Sequence, residues 1–161
     1  QLYMNYCMGC HALQYERYQR FQSGLGIPQD LVMQHLRFDT TARIGDLMKN
    51  AMPVADAKVW FGAAPPDLTL IARSRGVDYL YTYLRTFYKD PARPWGVNNK
   101  AFPDVGMPHV LLELQGLQRE DLLQSFLDKQ QRWAKARGAE PPGSEEFLGQ
   151  AKSGERGGGG S

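Results

Sequence analysis

The chain has only two cysteines, three positions apart, and a histidine directly follows the second: Cys7, Cys10 and His11. On a helical turn, positions i, i+3 and i+4 project from one face, so two sulfurs and an imidazole can meet one planar cofactor. Thiols at this spacing add to the two vinyl groups of haem as thioethers, and the neighbouring imidazole binds iron as the proximal ligand. The pattern predicts one covalent haem c. Other readings are a dithiol redox pair, half of a zinc site, or two core cysteines beside a capping histidine. Zinc needs more ligands than the chain offers nearby. His35 and His109 stand alone, which is the usual state of a surface or hydrogen-bonded histidine.

Spacing alone leaves the second axial ligand open. Met52 and Met107 each precede a proline, which biases the methionine toward extended backbone and stiffens its loop. Met4, Met8, Met33 and Met48 read as flexible fillers of core gaps or surface.

These residues must be positioned by an all-α framework, since helical periodicity dominates and strand signals are weak. Residues 2–18 read as a haem-bearing first helix, with Leu2, Tyr3, Tyr6, Cys10 and Leu13 at three- and four-residue spacing. Gly24, Gly26 and Pro28 break the pattern, and residues 30–37 resume it. Residues 43–52 read as a helix ended by Pro53. A loop follows, running through Trp60, Gly62, Pro65 and Pro66. Asp67 can cap a helix that Gly76 ends. Residues 77–88 form an aromatic helix burying Leu80, Tyr83, Leu84 and Phe87. Residues 89–108 make a long Pro, Gly and Asn-rich loop of the kind that often carries function. A last helix spans 119–137, with Leu122, Leu123, Phe126, Leu127 and Trp133 on its apolar side.

With 161 residues and 42% hydrophobic content, the chain is long enough for one domain with a core. A net charge of +2 and a pI near 8.6 give no field that selects nucleic acid or an anionic membrane. No apolar run reaches the roughly 18 residues that a membrane-spanning helix needs. Residues 1–6 lack the basic start and apolar middle of a secretion signal. Residues 139–161, with Pro141, Pro142 and a closing glycine run of the kind used in engineered linkers, read as a tail too poor in apolar surface to offset the entropy of ordering.

The segments NYCMGCHALQY, WFGAAPPDLTLIARSRG, DYLYTYLRTFY and FPDVGMPHVLLELQG, in this order over residues 1–116, resemble bacterial cytochrome c1. That family is the haem subunit of the cytochrome bc1 complex. The resemblance implies a cytochrome c-like haem domain with long irregular loops, and it selects Met107 over Met52 as the sixth iron ligand. It also places Pro66, Ile71, Arg75, Tyr79 and Phe102 around the haem, with Arg75 and Tyr79 as propionate partners. A guanidinium suits a partly buried carboxylate. The bland alternatives are a favourable helix terminus for Arg75 and core filling for Ile71, Tyr79 and Phe102.

The implied function is one-electron transfer, accepting from a Rieske iron–sulfur protein and donating to a cytochrome c, beside a cytochrome b. The implied location is the periplasmic side of the bacterial inner membrane. The likeness fades after Gly116, so residues 117–138 read as an additional helix, and the sequence predicts a soluble piece without the family's C-terminal membrane anchor. A free soluble electron carrier and, if Met107 does not ligate, a haem peroxidase-like protein are the alternatives.

Overall fold

The computed structural model describes residues 1–138. They fall into two compact units, Gln1–Leu70 and a second one beginning at Ile71. Helices dominate both, and the strands are only two to five residues long, so the all-α, loop-rich reading holds.

In the first unit, a π-helical turn, Tyr3–Cys7, leads into β1, Leu13–Arg17. Two short helices follow, α1 at Arg20–Leu25 and α2 at Gln29–His35. Next come β2, Leu47–Met48, and α3, Val54–Phe61. The core gathers Met4, Met8, Tyr18, Val32, Ala42 and Met48, with Tyr3, Leu13, Phe21, Ile27, Leu36 and Ile44 packed against it. Flexible thioethers fill this irregular space well.

Three expectations change here. The helix expected over residues 2–18 stops after one wide turn, where Met8 N–H donates to the Tyr3 carbonyl at 2.9 Å. Beyond it the backbone is claimed by distant partners. Gln14 N–H donates to Asp67 Oδ2 at 2.7 Å. Leu68 N–H donates to the Ala12 carbonyl at 3.0 Å. β1 pairs antiparallel with β2 through an irregular register, Leu13 opposite Met48 and Arg17 opposite Leu47. These partners outweigh a weak helical preference. The helix expected over 43–52 is likewise absent, because Leu47 and Met48 serve as the partner strand and Met48 fills the core. The helix forms instead after Pro53, as α3, where a loop was expected. Proline immediately before the first turn is a start signal, since its missing N–H costs nothing there. Gly62, at φ +80, ends that helix in the left-handed region.

The second unit opens with α4, Ile71–Arg75, and α5, Val77–Arg85. Gly76 separates them at φ +80, its N–H donating to the Ala72 carbonyl at 3.1 Å, as its expected role as a stop requires. The helix expected to run to residue 88 ends early. Phe87–Lys89 becomes β3, antiparallel to β4 at Val97–Asn99, so the long loop contains a hairpin. A short α6, Leu112–Gln115, precedes α7, Glu120–Ala136, close to the expected 119–137. Leu123 is fully buried, whereas Trp133 is exposed, its ring covered by the Arg137 guanidinium at 3.6 Å. Among the described residues no helix is long and apolar enough to cross a membrane. The predicted tail at 139–161 lies outside the described residues.

Candidate functional site

The attachment motif sits where the π-helical turn unwinds. Met4 and Met8 are buried in the first unit's core and pin the turn from one side. Cys10 N–H and His11 N–H both return to the Cys7 carbonyl, at 3.1 and 2.8 Å. One tight turn therefore carries all three groups, although the long helix around them is absent. Both cysteines are free thiols and half-buried. Burial pushes both thiols above their ordinary range, and for Cys7 the neighbouring Cys10 adds to the rise.

His11 is fixed on two sides. Its carbonyl accepts the Tyr3 hydroxyl at 2.7 Å. Its Nδ1 lies 2.7 Å from the Pro66 carbonyl, an acceptor, so Nδ1 carries the proton and Nε2 keeps its lone pair. Burial lowers the imidazole's pKa, partly countered by that carbonyl and by Asp67. A neutral ring with a free Nε2 is the form that binds a metal. Asp67 holds the segment behind Pro66 in place: Oδ2 accepts Gln14 N–H and Oδ1 accepts Thr69 N–H at 2.9 Å. It braces a turn instead of capping the predicted helix. The Tyr3 hydroxyl is pushed well above its usual range, chiefly by burial and then by Asp67, so it remains a donor.

In the second unit the expected residues lie on α4, on α5 and in the segment after β4. Arg75 ends α4 with its guanidinium 5.7 Å from the Tyr79 ring centroid, and Ile71 begins the same helix half-buried. Tyr79 is buried, packed with Ala101, Leu80 and Tyr83. Phe102 and Met107 pack against the buried cluster of Phe87, Val97 and Val105, together with Tyr83. The Tyr83 hydroxyl donates to Met107 Sδ at 3.4 Å. Met52, the other methionine left open by spacing, lies half-buried in the first unit between β2 and α3.

Several organising residues were not singled out from the sequence. Asn99 is buried, and its Oδ1 accepts Ala101 N–H at 2.9 Å, Phe102 N–H at 3.1 Å and the Thr86 hydroxyl at 3.2 Å. Its Nδ2 donates to the Tyr83 carbonyl at 2.7 Å. Asn98 Oδ1 accepts Asp104 N–H at 2.9 Å, and Arg93 donates to the Asp104 carbonyl at 2.6 Å. These bonds hold Asp104 at φ +62, an uncommon backbone for a residue other than glycine. Paired asparagines inside a long loop are the one signal that could have flagged this network. His109 is no metal ligand candidate here: it stacks on Phe87 at 4.8 Å, with Nε2 facing the Gly116 carbonyl.

The donor set fits haem c and not zinc. Two free thiols and an imidazole with an available Nε2 lie on one turn, and among the described residues no group of three or more His, Cys, Asp or Glu converges as a metal cluster.

Comparison with known proteins agrees. The sequence profile of the Cytochrome C1 family matches residues 1–129, running past Gly116 into the last helix. Cytochrome c1 of Allochromatium vinosum is 56% identical over 116 residues, which cover 72% of this chain and 47% of that protein. A protein of Nitrosomonas europaea named ammonia monooxygenase gamma subunit is 47% identical over 116 residues, 72% of this chain and 49% of its own length. The chain thus spans about half the length of the curated relatives it matches.

Proposed function

This chain belongs to the cytochrome c1 family, and from that premise we propose that it carries one covalent haem c and transfers single electrons from a Rieske iron–sulfur protein to a cytochrome c, beside a cytochrome b, in the periplasm. The observation that carries the proposal is the Cys7 to His11 turn, with the His11 Nδ1 proton committed to the Pro66 carbonyl.

When bound, haem supplies an iron centre that gains and loses one electron without bond making in a substrate. Cys7 and Cys10 would hold the ring by thioether bonds and fix its orientation. Attachment needs reduced thiols outside the cytoplasm, which assigns the mature chain to the periplasmic side. His11 Nε2 and Met107 Sδ would hold the haem iron, and together they would deny the metal to oxygen and peroxide. A thioether paired with an imidazole would favour the reduced state and raise the potential. Arg75 and Tyr79 would receive the propionates, with Pro66, Ile71 and Phe102 as apolar walls. The guanidinium above the Tyr79 ring is well placed for that role, because a planar fork can pair with a carboxylate while resting on an aromatic face.

The test is a pair of variants in protein matured by a host that exports c-type cytochromes. A pyridine haemochrome spectrum should report one haem c, and the ferric protein should show the red charge-transfer band of methionine ligation. Met107→Ala should abolish that band, lower the potential and open the iron to imidazole, while Met52→Ala should do none of these. The reverse pattern moves the sixth-ligand role to Met52. Absence of that band from the parent protein, with fast peroxide turnover, makes the protein peroxidase-like. Purification alone, haem intact, away from cytochrome b and a Rieske protein, marks a free carrier.

A further inference from the structure

We propose that Tyr83 is a positioning residue for Met107: its hydroxyl occupies one lone pair of the thioether, so that the other is the one presented to the metal, and it raises the reduction potential. The inference rests on the reading of Met107 as the sixth ligand. A thioether sulfur has two lone pairs and is a weak hydrogen-bond acceptor. The Tyr83 O–H donates to Sδ at 3.4 Å, within reach for sulfur.

The tyrosine is unusually constrained for a residue with such a light task. Its ring meets Phe87 edge-on at 5.5 Å and 82°, meets Phe102 at 6.5 Å and 68°, and lies tilted beside Tyr79 at 6.0 Å and 31°. Its carbonyl accepts from the side chain of the buried Asn99. Helix α5 therefore fixes the backbone, three aromatic rings fix the side chain, and the hydroxyl ends at sulfur. Met107 needs such a hold, because the segment before it is irregular and passes through the left-handed Asp104. A flexible thioether on such a loop would otherwise sample both sulfur configurations.

Two electronic consequences follow. A donor on sulfur withdraws density from the iron bond, and ferric iron needs that density more than ferrous iron does. Ferrous iron, in turn, leaves sulfur the better acceptor. The hydroxyl therefore favours the reduced state.

Tyr83→Phe removes only the oxygen and keeps the ring packing. At a fixed solution potential its ferrous to ferric ratio should fall about two- to fivefold, a part of the net worth of a hydrogen bond, with the methionine band retained. Proton NMR of the ferric form should change from one sulfur configuration to an exchanging pair. Tyr81→Phe, on the same helix but exposed, should change neither readout. A methionine band in the parent protein with an unchanged potential and a single configuration in Tyr83→Phe overturns the inference alone. Absence of the methionine band from the parent protein overturns the ligand assignment beneath it.

Discussion

The turn that carries Cys7, Cys10 and His11 and the loop that carries Met107 are built by different means. In the first unit backbone bonds close the turn and main-chain groups receive or donate nearly every bond that braces it, over a core of methionines and a buried tyrosine. In the second unit the loop is held by side-chain amides and a guanidinium reaching backbone groups, under an aromatic cluster. Backbone bonds tolerate substitution, and methionine cores adapt to changes of shape. An amide network fails when any member is lost, since each bond removed strands a buried partner. The attachment side is therefore robust, and the thioether side is exacting.

The largest test of that contrast is Asn99→Ala. It strands several buried groups at once and should cost about 4 kcal/mol, at 1–3 kcal/mol for each unsatisfied group. Amide hydrogen exchange should show the loss in residues 86–107 and not in 1–48. Uniform loss across both stretches would dissolve the distinction. Met48→Ala comes next, opening a cavity in the first core at a cost of about 3 kcal/mol, while Met48→Leu should cost less than about 1.5 kcal/mol. Equal costs for the two would show a rigid core instead of an adaptable one. The smallest effect belongs to Asp67→Ala, about 1–2 kcal/mol, seen as faster exchange at Gln14 and Thr69 with the haem still attached. Failure of haem attachment in that variant would make the first unit as exacting as the second.

The same contrast explains what could be read from the sequence. The attachment motif is legible because all its chemistry lies within five residues and one turn. Helix α7 and the Gly76 stop are legible for the same local reason. The strand at 13–17 was not, because Asp67, Leu68 and β2 decide it from 30 or more residues away. Helix α3 had a local signal in Pro53 that the apolar pattern around it obscured. Met107 emerged only through resemblance to a family, since two Met-Pro steps look alike until a fold separates them. Tyr83 was visible only as one aromatic among several on an amphipathic helix, and its hydroxyl gains meaning from Met107, 24 residues on.

The Pro66 carbonyl that accepts the hydrogen bond from His11 Nδ1–H has a bearing on how such a site drifts over evolution. A partner made of main chain has no side chain to lose, so no single codon change at position 66 deletes the acceptor. Replacement can only bend the chain that presents it. The imidazole's proton address is in this sense written in the path of the polypeptide, and neutral sequence variation can pass over it without erasing it.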